Sequence, residues 1–264
     1  TPDNRSIEFL KNYKEYIKLI TISPELEGID KLIEFCRNNH IIVSGGHDKA
    51  IDTEIYEAIN RGMSSVTHIF CCSSGISRRN TAKKHLGLTE IGLIDDRLYT
   101  EVIADGCHIP YDLFSLIYKC KGYKKICLVS DAIRATGMDK GRYKLGNSID
   151  GVDILVTDDV AILPEQNVYA GSITPIDKMV ENIISECNIP IEEAVYMASG
   201  SQANLLHLDR KGSVKEGYEA RVNLINERGQ LLKVIVGDHY QYDCITKEVL
   251  IHGLIWGNYK RRSW

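Results

Sequence analysis

The stretch Ile41-Ile-Val-Ser-Gly-Gly-His47 decides the fold, because a run of β-branched residues stops abruptly at two glycines and a histidine. Such a run is typical of a strand buried on both faces, as in a parallel sheet. Four more runs have this character, at residues 18–23, 65–67, 99–104 and 126–130. Polar residues follow each of them: Pro24-Glu25, His68, Asp105-Gly-Cys-His108 and Asp131.

Helical patterns lie between several of these strands. Apolar side chains recur every three or four residues over 29–39, 51–61 and 111–121, and the second pattern stops at Gly62, a residue favoured just after a helix. Alternating strands and helices predict parallel βα units. In a (β/α)8 barrel the catalytic residues lie at the carboxyl ends of the strands. Strands that end in His, Asp or Glu therefore predict a metal-hydrolase barrel. A doubly wound sheet is disfavoured, since no glycine-rich first turn is present.

Beyond Asp131 the pattern changes. Residues 146–163 predict short strands, residues 169–172 a loop, and Thr174-Pro175 a helix start with Thr174 as the N-cap. The tail alternates like small sheet strands at residues 222–226, 232–236 and 249–252.

Composition excludes some classes of partner. The 264 residues carry 32 Lys and Arg against 36 Asp and Glu, a net charge of -4, so no basic field predicts nucleic-acid binding. No apolar run reaches the roughly 18 residues that a membrane span requires. Eight cysteines lie scattered through the chain, which favours the reducing cytoplasm over a disulfide framework.

His47 and His68 are the candidate metal ligands. Neutral imidazoles at adjacent strand ends can converge on one divalent ion, although both could equally be hydrogen-bonded polar residues at strand ends. Asp131 follows a strand of core character and could carry a proton in hydrolysis, or it could be the N-cap of a following helix.

Other polar residues near the strand ends leave their roles open. His108 could bind a substrate hydroxyl or phosphate, and Arg79 suits bidentate phosphate contact, but lone histidines and loop arginines are often structural or solvated. Cys71 and Cys72 follow His68 and could be ligands or packing residues. Glu25 could bind metal or anchor the rim of the barrel.

Taken together, these segments resemble the N-acetylglucosamine-6-phosphate deacetylases of the amidohydrolase superfamily. The motifs that carry the resemblance run in order over nearly the whole chain: Ile20-Thr-Ile-Ser-Pro-Glu25 (T-L-A-P-E in the family), Val43-Ser-Gly-Gly-His47 (V-S-x-G-H), Val66-Thr-His68 (A-T-H), Ile103-Ala-Asp-Gly-Cys-His108 (I-A-D-G-x-H), Leu128-Val-Ser-Asp131-Ala (L-V-[ST]-D-A), Ala170-Gly-Ser172 (L-A-G-S) and Lys211-Gly-Ser213-Val-Lys-Glu-Gly217 (K-G-[ST]-I-x-x-G).

The resemblance implies a fold and a chemistry. It implies a divalent metal, zinc or iron, on His47 and His68, with Asp131 as the catalytic acid and base. His108 would contact a sugar phosphate, and Arg79 would reach the phosphate across a homodimer interface. The implied reaction hydrolyses the acetamide of N-acetylglucosamine 6-phosphate.

The resemblance also implies that part of the barrel lies upstream. The family's third metal ligand, a glutamate in H-L-E-G-P, precedes the T-L-A-P-E strand. We therefore expect residues 1–215 to form an incomplete α/β barrel, strands 4–8 of a (β/α)8 barrel, and residues 216–264 to form part of a small β-sandwich.

One departure from the family keeps alternatives open. Cys71 and Cys72, with the serine after them, replace the family's N-A-M, whose asparagine helps to hold the phosphate. An inactive fragment, a non-catalytic relative or another amidohydrolase acting on a cyclic amide is the alternative function.

Overall fold

The computed structural model describes residues 2–147, 149–237, 240–246, 248–251 and 254–258. The chain forms two compact units. The first consists of residues 1–102, 115–129 and 201–208, and the second of residues 103–114, 130–200 and 209–264.

The first unit is built on a parallel sheet, as the sequence predicts. Its strands are β1 (Leu19–Ile22), β2 (Ile42–Gly45), β3 (Met63–Val66), β4 (Tyr99–Val102) and β5 (Ile126–Leu128). They lie side by side in chain order, and every neighbouring pair is parallel. All five predicted strands are confirmed. Their carboxyl ends share one edge of the sheet, which positions the residues that follow them.

Helices lie between the strands of the first unit and are also present in the second unit. They are α1 (Asn4–Tyr13), α2 (Ile29–Asn38), α3 (Asp52–Arg61), α4 (Leu88–Ile94), α5 (Tyr111–Lys121), α6 (Ile176–Cys187), α7 (Ile191–Met197) and α8 (Gly200–Leu205). The predictions at 29–39, 51–61 and 111–121 are confirmed within one residue. Gly62 ends α3 at φ 133°, with its N–H donated to the carbonyls of Ala58 and Ile59. Helices α1, α4 and α8 were not predicted.

The predicted N-cap of α6 is wrong. The helix begins at Ile176, and its N-cap is Pro175, which has an extended backbone and no side-chain cap bond. The Thr174 N–H instead binds the Ser172 Oγ at 3.0 Å. Pro175 has an extended ψ of 159°, so it lies before the first helical residue and takes the N-cap position that the pattern predicts for Thr174.

An antiparallel sheet of four strands follows Asp131. Its strands are β6 (Gly141–Leu145), β7 (Val152–Val156), β8 (Ala161–Leu163) and β9 (Val168–Tyr169), and it closes over a small core that includes Ile154, Val156 and Ala161. The prediction of short strands over 146–163 is therefore correct in kind, but the sheet begins earlier. The prediction of a loop at 169–172 is wrong for Tyr169, which pairs with Ile162.

A second antiparallel sheet forms the tail: β10 (Arg221–Ile225), β11 (Leu231–Val236), β12 (Tyr240–Asp243), β13 (Glu248–Ile251) and β14 (Leu254–Asn258). The three predicted tail strands are found, and His252 of the third lies outside the described residues. The boundary at residues 215 and 216 stays a prediction. Among the described helices, none combines the length and apolar character needed to cross a membrane.

Candidate active site

His47 and His68 meet at the carboxyl ends of two paired strands. Gly45 of β2 lies opposite Val66 of β3 in the parallel register, and each histidine comes two residues later. The two Nε2 atoms are 2.9 Å apart, and the rings meet edge to face at 71°. Sheet register therefore brings together the two residues that the sequence singles out.

The glycines before His47 make this packing possible. A Cβ on Gly45 would lie 2.9 Å from the Met63 sulfur, and one on Gly46 would lie 2.9 Å from the Thr67 Cβ. Real Cβ atoms do not approach so closely, so the double glycine lets the end of β2 lie directly against β3.

The histidine pair fits two positions of a metal site. Two nitrogens bound at 2.0–2.1 Å to a tetrahedral metal lie about 3.3 Å apart, which a small ring rotation reaches from 2.9 Å. Imidazole suits zinc and iron. Within the described parts of the chain, no group of three or more His, Cys, Asp or Glu side chains is placed to hold a metal ion. The pair thus supplies two of the three protein ligands that a catalytic site usually has.

Left-handed backbone is concentrated at the predicted site residues. Non-glycine residues rarely adopt positive φ, and those that do are held there by their surroundings, often at functional sites. Five of the seven predicted residues have it: His47 (51°), His68 (28°), Cys72 (55°), Arg79 (31°) and Asp131 (46°). Each such residue costs on the order of 1–3 kcal/mol.

A polar network borders the end of β2. Arg79 binds the Glu54 carboxylate at 2.6 Å and also donates to the Lys49 carbonyl, and the Glu54 hydrogen bond raises the Arg79 pKa. Glu25 accepts the Lys49 N–H at 2.8 Å, while its other oxygen is buried without a hydrogen-bond partner. This supports the rim-anchoring interpretation of Glu25. The phosphate role of Arg79 stays a prediction.

Cys71 and Cys72 form the turn after His68. The Cys71 N–H donates to the His68 carbonyl at 2.9 Å, and the Cys72 carbonyl accepts the Asp48 N–H at 3.2 Å. The Cys72 residue is exposed and Cys71 is half-buried. The turn thus shapes the backbone beside His68, and substrate binding by the two cysteines stays a prediction.

In the second unit, His108 pairs with Asp105. Its Nδ1 lies 2.6 Å from an Asp105 carboxylate oxygen, and both side chains are buried. Burial raises the Asp105 pKa, but the His108 side chain and the backbone N–H groups of His108 and Cys107 outweigh it, so the pKa is lowered. The carboxylate holds the proton on Nδ1, which leaves Nε2 to accept a hydrogen bond when the ring is neutral. The His108 ring also packs on Tyr169, with centroids 4.6 Å apart.

Asp131 lies in an exposed turn beside the glycine–serine loop. Its carbonyl accepts the Ser172 N–H at 2.9 Å, and the Ile133 N–H donates to the Ser172 carbonyl at 3.1 Å. The next element in the described residues is strand β6. The N-cap alternative for Asp131 is therefore wrong. A Cβ on Gly171 would lie 2.9 Å from the Asp131 carbonyl oxygen, so this turn needs glycine there.

Three polar or aromatic residues at these positions received no role from the sequence, although Asp105 stands among the polar residues noted after the strands. Asp48 follows His47 directly, Asp105 precedes His108 by three residues, and Tyr169 packs on His108. The first two had a signal, since each is a carboxylate close in sequence to a candidate histidine. Tyr169 had none, because strand β9 joins it to His108 only through the fold.

Known proteins are similar to this chain over most of its length. The model of the Amidohydrolase family matches residues 19–248. Among curated proteins, N-acetylglucosamine-6-phosphate deacetylase of Lysinibacillus sphaericus is 32% identical over 211 residues, which cover 80% of this chain and 52% of that protein. N-acetylgalactosamine-6-phosphate deacetylase of Escherichia coli O157:H7 is 30% identical over 207 residues, covering 78% and 52%. The chain thus spans about half the length of these relatives.

Solved structures show the same fold. N-acetylglucosamine-6-phosphate deacetylase of Pasteurella multocida superposes with a TM-score of 0.80 at 26% identity, covering 89% of this chain and 59% of that one. The Mycobacterium smegmatis enzyme, in complex with N-acetyl-D-glucosamine-6-phosphate, superposes with a TM-score of 0.79 at 26% identity, covering 89% and 60%.

Proposed function

The chain belongs to the amidohydrolase family, and on that premise we propose that it hydrolyses the acetamide of N-acetylglucosamine 6-phosphate to glucosamine 6-phosphate and acetate. The observation that carries the proposal is the meeting of the His47 and His68 Nε2 atoms, 2.9 Å apart, at the ends of paired strands. The printed activities of the relatives support the substrate class.

Members of this family generally use a divalent metal, and here His47 and His68 would hold it, with zinc or iron the proposed ion. When bound, such an ion polarises the amide carbonyl and makes water a stronger nucleophile at neutral pH. The Nε2 atoms of His47 and His68 face each other, so these two atoms would be the ligands of the ion.

The remaining steps fall to side chains of this chain. Asp131 would take a proton from the attacking water and return it to the departing amine, which needs an exposed carboxylate at a strand end. His108, held by Asp105, would accept a hydrogen bond from a sugar hydroxyl through Nε2. Arg79, Cys71 and Cys72 would contribute to the phosphate end of the substrate.

Two further properties belong to the same proposal. A homodimer follows from the family resemblance of Arg79, whose counterpart reaches a phosphate across the subunit interface. A cytoplasmic location is supported by the cysteines, all eight of which are free thiols.

One observation favours a non-catalytic alternative. The described residues place no third ligand beside the histidine pair, and a catalytic metal site usually has three protein ligands. In that case the protein would bind metal weakly and would hydrolyse no amide.

Acetate release tests the proposal. The full-length protein, loaded with zinc or iron, is assayed for acetate release from N-acetylglucosamine 6-phosphate and N-acetylgalactosamine 6-phosphate. Hydrolysis of the cyclic amide hydantoin releases no acetate, so it is followed separately by ring opening. Acetate from the glucosamine derivative at the highest kcat/KM supports the proposal. A higher kcat/KM for the galactosamine epimer or for hydantoin would make that compound the substrate in place of N-acetylglucosamine 6-phosphate. No turnover of any of the three would favour the non-catalytic alternative.

A further inference from the structure

Asp48 is a buried carboxylate to which the proposed reaction gives no role. It follows His47 directly and is only 6% exposed. A buried carboxylate without partners is costly, so its neighbours indicate what it does.

Asp48 makes a complete set of hydrogen bonds to two segments. One oxygen accepts the Ser74 N–H at 2.9 Å, and the other accepts the Ser74 hydroxyl at 2.6 Å and the Ala50 N–H at 2.9 Å. Its own N–H donates to the Cys72 carbonyl at 3.2 Å. The residue after one candidate ligand is thereby tied to the turn that follows the other.

Ser74 extends this clamp to helix α4. Its hydroxyl accepts the Leu88 N–H at 2.8 Å, and its carbonyl accepts the Thr89 N–H at 3.0 Å. Because α4 packs against strands β3 and β4, the turn after His68 is fixed at both ends.

His47 is held from the other side by strand β1. The hydroxyl of Ser23, the first residue after β1, donates to the His47 carbonyl at 3.0 Å. His47 has a φ of 51°, a conformation that persists only when the surrounding structure determines it. The Ser23 hydroxyl and the Cys72 carbonyl bind the two ends of one peptide group, the one that joins His47 to Asp48.

We propose that Asp48 is a positioning residue, which holds the left-handed backbone of His47 and fixes its distance from His68. The inference rests on the proposed metal site, but not on the identity of the substrate. It assigns to one carboxylate the task of keeping two ligands on neighbouring strands at coordination distance.

The test is a double-mutant cycle in the full-length protein. Asp48→Ala removes the three side-chain hydrogen bonds of Asp48 and keeps its backbone bond to Cys72. Ser74→Ala removes the hydrogen bonds of the Ser74 hydroxyl, and a third variant combines both substitutions. Asp30→Ala is the matched control, because Asp30 forms an exposed ion pair with Arg61 at 2.8 Å. Asp48→Asn is the conservative variant, since one amide oxygen can still accept a backbone N–H. Cobalt affinity of the metal-free protein, kcat and KM are measured for each.

We expect Asp48→Ala to weaken cobalt binding about 10–100-fold, as the loss of residues that orient metal ligands does. The kcat should fall with little change in KM. Ser74→Ala should lower the cobalt affinity about tenfold. The double variant should bind cobalt no more weakly than Asp48→Ala, and Asp48→Asn should bind it more tightly than Asp48→Ala. Asp30→Ala should behave like wild type.

Other outcomes separate the inference from the proposed function. Wild-type cobalt affinity in folded Asp48→Ala would overturn the inference and leave the function standing. If Asp48→Ala does not fold, wild-type affinity in Ser74→Ala and Asp48→Asn would overturn it equally. Asp48-dependent cobalt binding without acetate release would uphold the inference and refute the function. A wild-type protein that binds no cobalt would refute both.

Discussion

Both units contain histidines that the sequence singles out, and the surroundings of these histidines differ between the units. In the first unit the Nε2 atoms of His47 and His68 face each other at 2.9 Å. In the second unit the Nδ1 atom of His108 faces the Asp105 carboxylate at 2.6 Å. At 2.9 Å one imidazole of the pair donates an N–H to the other, and a cation would take the place of that proton, whereas a facing carboxylate fixes one tautomer and one ring orientation.

The backbone differs in the same sense. Both His47 and His68 have positive φ, and His108 is not among the positive-φ residues. Instead, the N–H of His108 binds the same Asp105 carboxylate that its ring contacts, at 2.8 Å. The first arrangement stores backbone strain that packing must hold, and the second is a local turn that stabilises itself. This contrast supports the proposed roles, which are metal binding for the pair and substrate orientation for His108.

The largest expected effect is on kcat, and it distinguishes the role of His68 from that of His108. His68→Ala should lower kcat at least ~1000-fold, since Lewis-acid stabilisation is worth several kcal/mol and each 1.36 kcal/mol is tenfold in rate. His108→Ala should mainly raise KM. Steady-state kinetics with N-acetylglucosamine 6-phosphate measure both, and an equal loss in kcat for the two variants would break the contrast.

The next effect concerns the proton carrier. Asp131→Asn keeps the shape of the turn but cannot take a proton, so kcat should fall about 10²–10⁴-fold with unchanged metal content. Initial rates across pH and metal analysis of the same sample measure this. An Asp131→Asn enzyme of wild-type rate would remove Asp131 from the mechanism.

Asp105 gives a smaller effect with a defined pH dependence. Its pKa is lowered in the folded protein, so its stabilisation is present above the ordinary Asp value of about 3.9 and is lost as pH falls through the folded pKa. Asp105→Asn should destabilise the protein at pH 7 by about 1.5–3 kcal/mol, typical of hydrogen bonds to charged groups. Urea unfolding from pH 7 to pH 3 should show the two proteins converging at low pH, and a constant difference would contradict this.

The smallest effect tests the turn at Asp131. Gly171 has φ +70°, and an added Cβ would lie 2.8 Å from Ile133 and 2.9 Å from the Asp131 carbonyl oxygen. Gly217 has φ +81° with no atom within 4 Å of an added Cβ. Gly171→Ala should cost about 1–3 kcal/mol, and Gly217→Ala should cost less because it carries the φ penalty alone. Thermal unfolding compares them, and equal losses would mean that the contact is unimportant.

Much of the first unit was predictable because its signals are local. The β-branched runs gave all five strands, and the polar residue after each gave the candidate ligands. In a parallel pair, residues that follow paired positions by the same number of residues lie close together. Gly45 pairs with Val66, so His47 and His68, each two residues later, are neighbours.

The second unit was less predictable because its contacts are not local. Tyr169 lies in strand β9 and packs on His108. This strand has only two residues, too few to show the alternation of apolar and polar residues that predicts a strand. The first unit holds one such case too, because the clamp at Asp48 depends on Ser74, 26 residues away, and nothing in the spacing identifies that partner. The Thr174 N-cap failed because proline shifted the helix start.

The most direct test of the central claim is a cobalt titration followed by visible absorption in wild type, His68→Gln and His108→Gln. We predict ligand-field bands for one bound cobalt in wild type and in His108→Gln. These bands should be lost in His68→Gln. Bands that survive in His68→Gln, or that disappear in His108→Gln alone, would contradict the assignment of the histidine pair as the metal site.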